Sequence, residues 1–82
     1  MKLIDFIEAF DTIGIDHTCV LMEDPYVSNE EFRKHGYEYD EVFRGKLDDI
    51  PICYGNEYVV PYETFIDFDE KIIEIYVCSR AQ

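Results

Sequence analysis

The residues best suited to nucleophilic chemistry are a histidine and a cysteine near the start of the chain. Nucleophilic catalysis requires a thiol or hydroxyl beside a general base that a third group orients. If residues 15–22 form a strand, His17 and Cys19 lie on one face of it, separated by about 6.6 Å. This spacing is common in strands, so structural or surface roles for both residues are the alternative.

Paired carboxylates could bind a divalent cation or act as acid and base. Glu38 with Asp40 and Asp67 with Asp69 are such pairs, but neither has the spacing of a calcium loop. The three cysteines lie far apart without a CxxC pattern, which argues against a structural zinc site. The chain has no glycine-rich phosphate loop. We therefore expect a protein that is not an enzyme and that has no catalytic residue, metal or cofactor.

Acids and tyrosines are interleaved between residues 23 and 49. This stretch is our candidate partner-binding site, formed by Glu23, Asp24, Glu30, Glu31, Tyr37, Glu38, Tyr39, Asp40, Glu41, Asp48 and Asp49. Tyrosine has an apolar ring with a polar tip, and among acids it suits an interface with arginine and lysine. The alternative is that most tyrosines cover a thin core. Four bases in the same stretch dilute its charge.

The net charge excludes some partners. Nineteen acids against seven bases among 82 residues give −12, which repels nucleic acid and anionic membrane. A compact chain of this length is roughly 30 Å across, and duplex DNA of that length carries about 18 phosphate charges. The charge is therefore comparable to that of DNA, although simple solubility is an alternative reason for it.

The elements that would position these side chains can be read from the hydrophobic pattern. Residues 2–13 form an amphipathic helix with Leu3, Ile4, Ile7 and Phe10 on one face. Strands are predicted over residues 15–22 and 37–47, the latter with a bulge or bend at Gly45. Between them, Ser28 to Glu31 is a capping box that starts a short helix ending near residue 35.

The last third of the chain predicts a hairpin. One strand, interrupted at Pro61, covers residues 57–68, and residues 72–78 follow after a polar turn, with Ile73, Ile75 and Val77 on one face. The fold class is therefore α+β in a single domain of residues 1–82. An N-terminal amphipathic helix packs on a three- to five-stranded, mainly antiparallel sheet, and a second short helix is expected.

Three blocks of the sequence carry a resemblance. MKLIDFIEAF, VFRGKLDDIP and EKIIEIYV are similar to segments of small acidic proteins from phages and mobile elements of low-GC Gram-positive bacteria. That class includes anti-CRISPR and other anti-defence proteins, several of which resemble DNA in charge. The resemblance implies an inhibitor that occupies a nucleic-acid site, and it fixes no functional residue.

These observations lead to one expectation about function and two alternatives. We expect a non-enzymatic inhibitor that binds the basic nucleic-acid-binding groove of a protein partner, such as a CRISPR effector, and itself binds neither nucleic acid nor membrane. We expect it in the cytoplasm, as a monomer or weak homodimer. The alternatives are a structural module that self-associates through the strand edge of residues 58–68, and a small metal or thiol enzyme using His17 and Cys19.

Overall fold

The computed structural model describes residues 1–10, 16–24, 29–35 and 39–79. Within these ranges, two helices and five strands follow in the order α1 (Leu3–Ala9), β1 (Thr18–Glu23), α2 (Asn29–His35), β2 (Asp40–Gly45), β3 (Tyr58–Val59), β4 (Phe65–Asp67) and β5 (Ile72–Cys78). Two short 3-10 helices, η1 (Leu47–Asp49) and η2 (Ile52–Tyr54), connect β2 to β3. The predicted α+β fold, with its second short helix, is confirmed.

The five strands form one mixed sheet in the order β2-β1-β5-β3, with β4 also paired to β5. Strand β1 is antiparallel to β2 and parallel to β5, while β3 and β4 are both antiparallel to β5. The hairpin predicted for the last third of the chain is therefore confirmed. The parallel pairing of β1 with β5 places the first and last strands side by side at the centre of the sheet.

The core lies between α1 and one face of the sheet. Ile73, Ile75 and Val77 are buried on that face of β5, as the alternation predicts, beside Cys19 and Leu21 of β1. Because β5 pairs with β1 on one side and with β3 and β4 on the other, its side chains have cross-strand neighbours on both sides. Strand β5 thus connects the two halves of the sheet.

The buried face of α1 differs from the prediction at two residues, since Phe6 replaces Ile4 on it. Leu3 and Phe6 are buried and Phe6 stacks on Phe10 with ring centroids 4.5 Å apart. Ile4, predicted to share the buried face, is 48% exposed. The helix has only seven residues, and it packs over the sheet along the line of Leu3, Phe6, Ile7 and Phe10, which turns Ile4 toward the surface.

The predicted bulge at Gly45 is wrong in position. The register between β1 and β2 shifts between Leu21 and Met22, opposite Val42, and Gly45 pairs normally with Cys19. A side chain at Gly45 would meet the ring of Phe43 at 3.1 Å. A larger residue at position 45 would therefore require the Phe43 ring to shift by a few tenths of an ångström.

The interruption predicted at Pro61 occurs between β3 and β4. At this point the Thr64 side chain takes the place of backbone groups in hydrogen bonding. The Thr64 hydroxyl accepts a hydrogen bond from the Tyr76 amide at 3.1 Å and donates one to the Val60 carbonyl at 3.0 Å. Proline cannot donate to a ladder, so the chain loops out at this point. Thr64 supplies the acceptor that a continuous strand would have offered to β5.

Candidate functional site

The sheet face opposite α1 carries acids and tyrosines from three segments of the chain. We call it the outer sheet face and define it by Tyr39, Glu41, Arg44, Glu63, Glu74 and Tyr76. In one row, Arg44 of β2 and Glu74 of β5 stand on either side of Val20 in β1. Val20 is buried between them although it points away from α1. The strand register therefore brings charged side chains together that lie far apart in the sequence.

Two tyrosines form the centre of the outer sheet face. The rings of Tyr39 and Tyr76 meet edge to face, with centroids 4.7 Å apart, a geometry that aromatic pairs favour. The Tyr76 hydroxyl donates a hydrogen bond to the Glu74 carboxylate. This hydrogen bond, together with burial and the nearby charges of Glu74 and Glu63, raises the pKa of Tyr76 to about 12. The Tyr76 hydroxyl therefore stays protonated and holds the Glu74 carboxylate in place.

The charge of the outer sheet face is net acidic. Arg44 forms an ion pair with Glu41 at 2.6 Å, and both side chains are largely exposed. Glu63 and Glu74 are half-buried beside Tyr76 and form no ion pair within the described ranges. A cation from a partner could pair with these two carboxylates over the tyrosine rings. The face thus fits an arginine- or lysine-bearing surface.

The predicted partner-binding residues are spread over several separate places. Glu30 and Glu31 are exposed on α2 beside the exposed bases Arg33 and Lys34. Asp40 and Glu41 are exposed at the start of β2, and Asp48 and Asp49 are exposed in η1 beyond its end, about 17 Å further along the strand direction. Of the predicted set, the structure places only Tyr39 and Glu41 on the outer sheet face. Tyr37 and Glu38 lie outside the described residues.

Two of the predicted acids have little surface to offer a partner. Asp24 is 3% exposed, and its amide donates to the Val77 carbonyl at 2.9 Å. Glu23 is half-buried and hydrogen-bonded to Glu57. Burial, followed by the hydrogen bond and the charge of Glu23, raises the pKa of Glu57 to about 8. The pair thus carries one negative charge near neutral pH instead of two.

The sequence did not predict Glu63 and Glu74 as site residues, nor the contact between Glu57 and Glu23. The alternation of β5 places Glu74 and Tyr76 on one face and was a usable signal for that half of the site. The position of Glu63 depends on how the chain loops out at Pro61, for which the local pattern gives no signal. Glu57 meets Glu23 only because β1 and β3 flank β5.

The histidine and cysteine considered for catalysis do not form a reactive pair. Cys19 is fully buried, and burial raises the pKa of its thiol to about 12. A thiol with such a pKa is protonated at neutral pH and is a poor nucleophile. The His17 ring packs edge to face on Phe68 at 5.8 Å, and neither of its nitrogens has a hydrogen-bond partner among the described residues. Within the described ranges, this arrangement lacks the base-to-thiol contact that catalysis needs.

The described residues contain neither a group of side chains suited to a metal ion nor a membrane-spanning helix. Across residues 1–10, 16–24, 29–35 and 39–79, no three histidine, cysteine, aspartate or glutamate side chains come close enough to hold a metal ion. In the same part of the chain, no helix has the length and apolar character needed to cross a membrane. Asp67 ends β4 and Asp69 lies in the β4–β5 turn, where an Asp67 carboxylate oxygen accepts from the amides of Asp69 and Glu70, both at 3.0 Å.

A cavity of about 450 Å³ lies between α1 and β4. Its walls are apolar, with Phe6, Phe10, Phe65 and Ile66 among them. Its hydroxyl group belongs to Thr64, whose hydrogen bonds already go to Tyr76 and Val60. Ligand sites need a few polar groups that orient the ligand, and the described walls of this cavity offer none that is uncommitted.

Comparison of the chain with protein-family models, with curated proteins and with solved structures finds no match.

Proposed function

We propose that the protein is a non-enzymatic inhibitor that binds a basic, nucleic-acid-binding surface of a protein partner and blocks it. A CRISPR effector or another defence nuclease is the most concrete form of such a partner. The observation that carries the proposal is the outer sheet face, where Glu63 and Glu74 lie near Tyr76 and the Tyr76 ring contacts that of Tyr39. The resemblance of three sequence blocks to small acidic phage proteins supports it.

The magnitude of the charge supports a local contact more than mimicry by the whole surface. In the described part, eleven acids are exposed against six exposed bases, on a body about 37 Å long. Duplex DNA of that length carries about 22 phosphate charges. The exposed charge is thus well below that of DNA, and affinity must come from patches where acids escape neutralisation. The outer sheet face keeps such an excess, because its three acids, Glu41, Glu63 and Glu74, outnumber its one base, Arg44, which interacts with both Glu41 and Glu74. On α2, Glu30 and Glu31 are matched by Arg33 and Lys34.

The tyrosines give the proposed contact its anchors. Interface hot spots are enriched in tyrosine, tryptophan and arginine and lie in well-packed, desolvated positions. Tyr76 is held by its hydrogen bond to Glu74 and by the ring of Tyr39, so little side-chain freedom is lost on binding. An arginine of the partner could stack on these rings while it pairs with a carboxylate. The overall negative charge would speed the encounter.

Self-association through the edge of residues 58–68 is the alternative function. Tyr62, Phe65 and Phe68 are exposed near this edge, which favours an apolar contact. However, the N-terminal residues already pair with β3, since the Val59 amide donates to the Met1 carbonyl at 2.8 Å and Lys2 bridges Tyr58. The remaining edge is β4, with three residues. So short an edge is a weak basis for sheet extension.

The experiment that tests the proposal is capture followed by competition. The tagged protein would be incubated with a lysate of a low-GC Gram-positive bacterium at about 150 mM salt, where exposed charges are screened beyond about 8 Å. The proposal expects a nucleic-acid-processing enzyme to be retained and its DNA or RNA to be displaced as the protein is added. A retained enzyme that keeps its nucleic acid at saturating protein would refute it. A salt-insensitive oligomer in light scattering would favour self-association.

A further inference from the structure

A second surface of the molecule combines an apolar floor with an unpaired acid. A groove of about 180 Å³ runs between α1 and the 3-10 helices, and we call it the α1–η1 groove. Its lining includes Ile4, Ile7, Leu47, Ile50, Ile52 and Asp48. It lies on the α1 side of the sheet, away from the outer sheet face. All of its lining residues belong to the described ranges.

The apolar floor of the groove includes two isoleucines that are exposed to solvent. Ile52 is 93% exposed, and Ile4 is 48% exposed although it belongs to a core-packing helix. The two residues are held close together, because the Ile4 amide donates to the Gly55 carbonyl at 3.0 Å and the Gly55 amide donates to the Ile52 carbonyl at 2.9 Å. Exposed isoleucines fixed side by side form an apolar platform that a partner could cover.

The charge at the groove wall defines what would cover the platform. Asp48 lines the groove with an exposed carboxylate. Within residues 1–10, 16–24, 29–35 and 39–79, Asp48 forms neither a hydrogen bond nor an ion pair through its side chain, although the base Lys46 is close in sequence. An occupant with an apolar stem and a cationic head would satisfy both features. Lysine and arginine are the side chains with this construction.

We propose that the α1–η1 groove binds one arginine side chain of the basic partner, with the methylene stem on Ile4 and Ile52 and the guanidinium group at Asp48. Small-molecule sites measure about 300–1,000 Å³, so the groove suits a single side chain better than a free ligand. Arginine is preferred over lysine because its guanidinium group is more weakly hydrated and pairs bidentately with a carboxylate. The inference rests on the proposed function and adds a second anchor to it.

The test uses a small compound that reproduces the arginine side chain. The ¹⁵N-labelled full chain is titrated with n-butylguanidinium and, separately, with guanidinium and with n-butanol. The proposal expects saturable shifts in the amide signals of Ile4, Asp48 and Gly55, with n-butylguanidinium binding more tightly than either fragment. Shifts spread evenly over all the acids without saturation would overturn it. Equal binding of n-butanol would also overturn it, since the carboxylate would then contribute nothing.

Two matched variants sharpen the result. Asp48→Asn removes the charge in the groove and should weaken n-butylguanidinium binding by about two- to fivefold, the usual value of an exposed ion pair. Asp49→Asn removes an equally exposed neighbouring charge that does not line the groove, and should leave binding unchanged. Equal effects of the two substitutions would contradict the proposal. Ile52→Ser should weaken binding, and it leaves the core intact because Ile52 is exposed.

The groove proposal and the inhibitor proposal can fail independently of each other, and the experiments distinguish the two failures. If n-butylguanidinium occupies the groove but the protein displaces no nucleic acid from any captured enzyme, the inhibitor proposal fails and the groove assignment stands. If the protein displaces nucleic acid but Asp48→Asn binds both n-butylguanidinium and the captured enzyme as wild type does, the groove assignment fails alone.

Discussion

The side-chain carboxyl group of Glu57 shares a hydrogen bond with the carboxylate of Glu23, where β1 ends and β3 begins. One oxygen of Glu57 is buried without a further partner in the described part of the chain. The Glu57 backbone carbonyl also accepts from the Leu3 amide at 2.8 Å, which holds the start of α1. Glu57 thus contributes twice at this point of the fold, with its side chain toward Glu23 and with its backbone toward the start of α1.

This pairing predicts that stability falls as pH rises from about 5 to 9. The pKa of Glu57 is raised from 4.5 to about 8, so between these values the folded chain holds a proton that the unfolded chain has released. The stabilisation is complete below pH 4.5 and is lost as pH passes 8. Tyr54, whose pKa is also raised, stays neutral throughout. After allowance for solvent screening we expect a loss of about 1 kcal/mol, or about 4–8 °C in Tm.

Glu57→Gln tests this prediction by thermal unfolding at pH 5, 7 and 9. The variant should lose the decrease in Tm across this range, because glutamine does not titrate. Glu70→Gln is the matched control, since Glu70 is exposed in the β4–β5 turn and should leave the wild-type pH dependence intact. An unchanged pH dependence in Glu57→Gln would show that other groups cause it.

Thr64→Val should destabilise the fold by about 1–3 kcal/mol, the cost of leaving a buried donor unsatisfied. The Tyr76 amide would lose its acceptor, and the Val60 carbonyl would lose a donor. Urea unfolding measures the change, and Thr64→Ser, which keeps the hydroxyl, should remain close to wild type. Thr18→Val is the exposed control and should change stability by less than about 0.5 kcal/mol. A Thr64→Val variant as stable as Thr18→Val would contradict the role given to Thr64.

Thiol labelling should distinguish the three cysteines. Cys53 is exposed, whereas Cys19 and Cys78 are buried. At pH 8 iodoacetamide should modify Cys53 in the native protein within minutes and leave the other two unmodified until urea unfolds the chain. Peptide mass spectrometry gives the site of modification. Rapid native modification of Cys19 would reopen the thiol-enzyme alternative, because it would require a thiolate that the buried position disfavours.

Glu74→Gln should lower the pKa of Tyr76 from about 12 toward the ordinary value of 10. The Glu74 carboxylate favours the protonated phenol as its hydrogen-bond donor, and a neutral amide does so less strongly. NMR of ¹³C-labelled tyrosine over pH 8–12.5 would follow the ring signals individually. Glu41→Gln is the control, since Glu41 pairs with Arg44. If the pKa of Tyr76 were the same in Glu74→Gln as in Glu41→Gln and the wild type, the hydrogen bond between Tyr76 and Glu74 would be refuted.

Individual helices and strands could be predicted from the sequence because each shows the spacing of apolar residues typical of its type. The alternation in residues 72–78 predicts which side chains of β5 are buried, and the turn before it follows from Asp69, Glu70 and Lys71. For α1 the period predicts a helix, but its buried line passes through Phe6 instead of Ile4. A short helix can rotate about its own axis by about one residue. Its packing against the sheet then determines which of its side chains are buried.

The relationships between distant elements were not readable. Nothing local in β1 indicates that it lies parallel to β5, and this pairing brings Arg44, Val20 and Glu74 into one row. The predicted acidic stretch of residues 23–49 is continuous in sequence. In the structure, however, Asp40 begins β2 and Asp48 lies beyond its other end, so the length of the strand separates them. Acids gather on this fold through cross-strand neighbours, and a reading along the chain misses them.

The central claim is that the outer sheet face contacts the partner, and competition with charge-reversed variants tests it most directly. Displacement of labelled nucleic acid from the captured enzyme is measured by fluorescence anisotropy for Glu63→Lys with Glu74→Lys, and for Asp69→Lys with Glu70→Lys. Both double variants change the net charge equally, but the second lies in the β4–β5 turn. We predict that the first pair weakens competition at least about tenfold and the second by about two- to threefold. Equal losses for both pairs, or none for the first, would contradict the account.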